Sequence, residues 1–167
     1  MMESIDVFQA LDLIPYPLAI VTAGDPGRRG RRGGAAVAWL TRVSWDPPLV
    51  AVALGLARYT YELIKEFRSF AVHLVSRELE DVAYNVFGSV SGRDVDKFDL
   101  AKIVPVGARK VTAPIIGKAP LILECELVDE HVAGDHVVVI GRVVEAYRGS
   151  AEKPLVFYNG SSAELKL

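Results

Sequence analysis

The chain has a single cysteine, Cys125, and only three side-chain amides, Gln9, Asn85 and Asn159, in 167 residues. One thiol excludes an intramolecular disulfide and any cysteine-built zinc cluster. The histidines at 73, 131 and 136 lack the close spacing of zinc motifs, so no metal site is expected. Neither sign of charge dominates: the formal net charge of −2 argues against a general nucleic-acid or membrane-surface binder. No apolar run reaches the roughly 18 residues needed to span a bilayer. Met1 to Leu13 is acidic and amphipathic, unlike a secretion signal. These exclusions point to a cytoplasmic protein. Scarce amides and thiols beside many Arg and Glu follow the trend of heat-adapted proteins, which points to a thermophilic source.

What is present reads as one domain over residues 1–167, strand-rich, with 51% hydrophobic residues and a prominence of Val. Its centre is Ala35 to Leu54. Two apolar runs, Ala35–Leu40 and Val50–Leu54, flank Asp46-Pro47-Pro48, where two backbone donors are missing and no ladder can continue. Small residues on one strand leave room for a flat ligand, and Trp39, Thr41 and Ser44 furnish a ring and hydroxyls at the corner. The backbone of Trp39, Leu40 and Thr41, with Ala53, Leu54 and Gly55, can form a shelf for such a ligand.

Before this centre, Val7, Ala10, Leu11 and Ile14 recur at helical spacing until Pro15, with Ser4 or Asp6 as cap, and Pro17–Ala23 reads as a strand. Gly24 to Gly34 is a glycine-rich turn bearing Arg28, Arg29, Arg31 and Arg32. It is either a solvated hairpin loop or a mobile basic lip that attracts nicotinamide phosphates. After the centre, Arg58 and Thr60 stand where a strand runs into a helix, a junction whose free N–H groups suit a phosphate. Thr60 can equally be a plain first-turn residue. Ser69–Ser76 alternates as a strand containing His73, which reads as packed or surface. Glu78–Phe87 is helical and stops at Gly88 in the manner of a C-terminal glycine. Lys97 follows, with Asp94 and Asp96 as candidate surface partners. In the strand Leu121–Val128, Cys125 reads as buried, and Glu124 and Glu126 as a solvated face. His136, after the turn Gly134-Asp135, can cap its hairpin through Asp135.

Several of these words together resemble the flavin reductase-like family of FMN-binding split barrels. They are Trp39-x-Thr41-x-x-Ser44-x-Asp46-Pro47-Pro48-Leu49-Val50, Phe87-Gly88-x-x-Ser91-Gly92 with Asp96-Lys97-Phe98, and Gly134-Asp135-His136 with Ile140-Gly141-Arg142. His73 departs from the pattern, which usually has Asn there. The resemblance implies a mainly β fold, a six-stranded antiparallel split barrel with a few peripheral helices, assembled as a homodimer with flavin sites at the interface. It places Arg58 and Thr60 near the FMN phosphate. Ser89, Val90 and Ser91 would lie along the flavin, Lys97 near its carbonyls or phosphate, and His136 on the face where nicotinamide stacks. The implied activity is NADH- or NADPH-dependent reduction of FMN, or of an acceptor such as a ferric chelate or a monooxygenase partner, by hydride transfer through flavin N5. The alternative is an electron carrier of the flavoredoxin kind that serves protein partners.

Overall fold

The computed structural model describes residues 1–167. Helix α1 (Val7–Asp12) precedes strands β1 (Tyr16–Pro17), β2 (Ala19–Gly24), β3 (Arg32–Val37), β4 (Leu40–Ser44) and β5 (Leu49–Gly55). Helix α2 (Tyr59–Phe67), strand β6 (Ser69–Leu74), helix α3 (Arg77–Val82), a π-helical turn (Ala83–Phe87) and helix α4 (Lys97–Ala101) follow. The chain ends with β7 (Val106–Gly107), β8 (Pro114–Ile115), the long hairpin β9 (Ile122–Ala133) and β10 (His136–Tyr147), then β11 (Leu155–Tyr158) and β12 (Ser161–Glu164). No helix is long and apolar enough to cross a membrane.

The main sheet is antiparallel throughout, in the order β3-β2-β6-β9-β10-β5-β4. The mainly β, antiparallel split barrel is therefore present, and its principal sheet holds seven strands. The additional strand arises because Ala35–Leu40 is not continuous. The chain breaks at Ala38-Trp39, where the Ala53 N–H donates to the Trp39 carbonyl (2.9 Å) and Leu40 N–H to that of Ala38 (3.1 Å). Strands β3 and β4 thus become opposite edges of one sheet, brought back together at Trp39, and the barrel stays open between them.

Two apolar clusters hold this arrangement. Val21, Val52, Leu54, Phe70, Val72, Cys125, Val137 and Val139 fill the barrel, with Leu63 and Ile64 of α2 plugging it. Ile20, Phe87, Phe98, Ile115, Ile122 and Leu155 form a second layer outside it. Strands β2 and β6 lie between the two and are buried on both faces. Each large side chain so buried contributes roughly 1.5–3 kcal/mol.

Two local readings need correction, and one pair of alternatives is decided. Glu124 does not face solvent. It is fully buried, and its carboxylate accepts the backbone N–H groups of Arg109 (2.9 Å), Lys110 (2.7 Å) and Val111 (3.2 Å), which fold over that face of β9. Burial alone would push its carboxyl up, but these donors and the Tyr147 hydroxyl hold it below the usual range. Gly88 is not a left-handed cap: its φ is −94°. Glycine is needed because a Cβ there would press the Ala83 carbonyl oxygen at 3.0 Å and the Ala36 side chain at 3.3 Å. Of the two alternatives for the arginine loop the solvated hairpin holds, exposed at Gly27–Gly30, and the free basic lip does not. Arg29 pairs with Asp99 (2.6 Å), Arg32 with Asp96 (2.8 Å), and Arg31 with Glu66.

Other readings hold. Asp6, not Ser4, caps α1 through the N–H groups of Phe8 and Gln9. Cys125 is buried, and burial pushes its thiol up to about 12. His73 is a core histidine with no exposure. Its Nε2 accepts the Ile116 N–H (3.1 Å), so Nδ1 carries the proton and donates to the Ile20 carbonyl (3.0 Å).

Candidate functional site

The closure at Trp39 creates a shallow cavity of about 350 Å³. One wall is Ala35–Trp39, whose side chains before the indole are methyl- or isopropyl-sized. Facing it are Ala53, Leu54 and Gly55 of β5, with Arg58, His136 and Phe157 around the rim. Burial alternates along β5: Val50, Val52 and Leu54 point into the barrel, leaving Ala51, Ala53 and Gly55 on the half-buried side. Strand periodicity thus puts the small residues where a planar ligand could lie.

A second cleft, of about 330 Å³, shares Gly55 and Arg58 with the first. It is lined by Ala57–Thr60, Ser89–Arg93 and Lys97. Arg58 occupies the N-cap position of α2 but makes no side-chain cap bond, so the first N–H groups of that helix are left without a side-chain acceptor. Thr60 is in the first helical turn and 3% exposed.

Lys97 is buried, 3% exposed. The alternative of a surface pairing with Asp94 or Asp96 does not occur: Asp96 holds Arg32. Instead the ammonium donates to the carbonyls of Gly34 (2.6 Å) and Phe87 (3.0 Å). The π-helical turn delivers the Phe87 carbonyl, and Gly34 can approach because a Cβ there would strike the Phe87 ring at 2.8 Å. Two of three ammonium protons are satisfied, while the positive charge has no carboxylate against it. Burial, with the repulsion of Arg58, lowers its pKa to about 8.

Ser89 donates to the Asn85 carbonyl (2.6 Å), and the Ser91 oxygen accepts the Arg93 N–H (3.2 Å). Arg93 is tied to the Ala57 carbonyl (2.8 Å) and to Glu62. At the other side, His136 Nδ1 meets the Asp135 carboxylate at 2.6 Å. A carboxylate only accepts, so Nδ1 donates, and Nε2 is left without a proton and free to accept.

Of the expected residues, Trp39, Ala53, Leu54, Gly55, Arg58 and His136 share the shelf cavity, and Gly55, Arg58, Thr60, Ser89, Val90, Ser91 and Lys97 share the cleft. Leu40 and Thr41 are not brought to the shelf. They lie around the corner on β4, in an apolar hollow of about 480 Å³ with Ile14, Tyr16 and Pro17. Ala57, Tyr59, Arg93 and Phe157 also line the walls and were not singled out by the sequence. An Arg among Ser-Gly-Arg-Asp and a Phe in an apolar strand carry no local signal.

The model of the flavin reductase like domain matches residues 11–166 of this chain. The chain belongs to that family. It is 38% identical over 142 residues to an uncharacterized protein from Aeropyrum pernix, an alignment covering 83% of this chain and 52% of that protein. The chain thus spans about half the length of that relative. It is 30% identical over 159 residues to the NADH-dependent flavin reductase of a Rhodococcus species, covering 95% of this chain and 85% of that one. Among solved structures, the Streptomyces globisporus NADH:FAD oxidoreductase SgcE6 superposes with a TM-score of 0.85 at 25% identity, over 100% of this chain and 99% of that one.

Proposed function

We propose that this flavin reductase-like protein binds FMN and uses NADH or NADPH to reduce it, or to reduce an acceptor through it. The observation that carries this reading is Lys97. A cation shut away from water without a counter-ion is costly, and it stands beside Arg58 and the uncapped start of α2. That combination calls for an anion of high charge density, such as a terminal phosphate. The adjoining shelf, walled by Ala and Gly, takes a flat ring system. The two spaces meet at Gly55 and Arg58, so one ligand with a planar head and a phosphate tail fits both.

In this reading Arg58, Thr60 and Lys97 hold the phosphate, while Ser89, Val90 and Ser91 lie along the tail. Trp39, Ala53, Leu54 and Gly55 bear the ring. Bound flavin supplies two-electron hydride chemistry at its N5, so the protein needs no acid–base pair of its own. His136 lines the open side of the shelf and positions the nicotinamide, its ring fixed by Asp135. The acceptor is a ferric chelate or a monooxygenase partner. A homodimer with the sites at its interface fits the exterior: α1 has no buried residue, and Phe8, Leu11 and Trp45 are exposed.

Anaerobic titration of the FMN-loaded protein with NADH and NADPH tests the proposal. Bleaching near 450 nm by either nucleotide is the expected result. Flavin that only a reduced protein donor bleaches would assign the chain to electron carriers instead.

A further inference from the structure

Two large aromatic side chains line the shelf cavity: Trp39, which lies beside His136, and Phe157, whose aromatic neighbour is Tyr84. Phe157 lines the cavity together with Ala35, Ala36 and Ala38. Its backbone is paired on both flanks, to Tyr16 of β1 and to Ser162 of β12. Its ring rests at 6.5 Å from that of Tyr84, tilted by 42°, and the Tyr84 hydroxyl is itself bonded to the Ser162 hydroxyl (2.5 Å). Two strand pairings fix the Phe157 backbone, and the tethered tyrosine backs its ring, so the side chain is set on the rim by regular structure and not by a loop.

We infer that Phe157 is a specificity-determining residue: it ends the shelf and limits the bulk that a planar ligand can carry on its apolar edge. This rests on the flavin reading. An isoalloxazine has a hydrogen-bonding pyrimidine end and an apolar dimethylbenzene end. The charged and polar groups of the shelf, Arg58 and His136, are grouped at the Gly55 side, so polarity matching turns the methyl-bearing edge toward Phe157 and the alanines. Within a well-packed apolar pocket, a difference of one methylene is worth roughly 10–200-fold in discrimination.

The test compares binding of FMN with that of its analogue bearing a dimethylamino group in place of the 8-methyl, measured by fluorescence or calorimetric titration. The native protein should favour FMN by about tenfold or more. In Phe157→Ala the preference should fall to within about threefold, through tighter binding of the bulky analogue. Phe157→Trp, which shortens the shelf, should shift preference toward 7,8-didemethyl-FMN and also decides the matter if the alanine variant folds poorly. Unchanged ratios in the variants, with FMN still bound, overturn the role of Phe157. Failure of the native protein to bind FMN at all overturns the flavin reading instead.

Discussion

The imidazole of His136 lies 4.6 Å from the indole of Trp39, centroid to centroid, with the rings tilted by 43°. Trp39 terminates one wall of the shelf, and His136 begins β10 opposite Gly55. His136 lines the shelf cavity beside the indole, and Asp135 fixes its tautomer. Such a ring can place a second planar reactant against the first without itself gripping the flavin. Replacing His136 by Ala should lower NAD(P)H-dependent turnover by roughly ten- to a hundredfold, the scale of lost positioning. The FMN dissociation constant should change by less than about threefold. Steady-state kinetics beside a flavin titration separates the two, and equal activity would return His136 to the role of a hairpin residue.

The phosphate assignment has a sharper test. Charge-assisted hydrogen bonds are each worth about 1.5–3 kcal/mol, so Arg58→Ala combined with Thr60→Ala should weaken FMN binding by about 2–5 kcal/mol. Riboflavin has the same ring system without the phosphate, and its affinity should be almost unaffected. An FMN affinity untouched by the double substitution removes both residues from the anion site.

Lys97 makes FMN affinity depend on pH. With its pKa lowered to about 8, the ammonium is protonated at neutral pH and increasingly neutral above pH 8. A bound phosphate favours the protonated form, so binding above pH 8 must take up a proton. FMN affinity should then fall with rising pH, by up to about tenfold per unit. Arg93, the other cation of the Ser89–Arg93 wall, is engaged by Glu62. Riboflavin binding should show no slope, and Lys97→Arg, always charged, should abolish the slope for FMN. A parallel slope for both flavins would place the titrating group elsewhere.

The elements whose signal is local were legible in the sequence: β6 by alternation, β5 as a short apolar run after Asp46-Pro47-Pro48, and α1 by its 3.6-residue spacing and Asp6 cap. What was hidden depends on distant parts of the chain. Ala35–Leu40 reads as one strand because nothing in its composition breaks it. At Trp39 the chain leaves the β2 ladder and joins that of β5, where the Ala53 N–H donates to the Trp39 carbonyl one rung before the Leu40–Val52 pair. Alternation correctly set Glu124 opposite Cys125, but only the segment 109–111 turns that face from solvent into interior. The arginines between Gly24 and Gly34 find their acids far along the chain at Glu66, Asp96 and Asp99. The burial of Lys97 was hidden because its two acceptors are backbone carbonyls, which carry no side-chain signature.

Glu124 should behave as a keystone for the segment from Arg109 to Val111. An ionised carboxylate satisfies three backbone donors and the Tyr147 hydroxyl, whose own pKa is pushed up to about 12, chiefly by burial and then by this carboxylate. Glu124→Gln gives up one acceptor oxygen and turns N–H toward N–H. It should cost about 2–4 kcal/mol in chemical denaturation. Limited proteolysis should find the 107–112 segment cut earlier than in the native protein. Unchanged stability would mean that water replaces the carboxylate without penalty.

His73 should make the protein acid-sensitive in a defined window. Burial pushes its imidazole down to about 4, against the pull of the Ile20 carbonyl, compared with 6.5 for the free side chain. Its folded pKa is depressed, so between about pH 4 and 6.5 the unfolded chain binds the extra proton and the folded chain does not. Stability from this residue is therefore complete above pH 6.5, declines as the pH falls through that window, and levels off below pH 4. The loss amounts to about 3 kcal/mol, since each pKa unit corresponds to about 1.4 kcal/mol. The structural reason is direct: protonating Nε2 turns the acceptor of the Ile116 N–H into a donor facing a donor, at a fully buried position. His73→Asn removes the titration, so urea unfolding at pH 4.5 and 7.5 should show a smaller difference for the variant than for the native protein. The comparison uses the pH difference within each protein, so a lower baseline stability of the variant does not affect it. Equal pH differences in the two would show that carboxylates, not this imidazole, govern the acid limb.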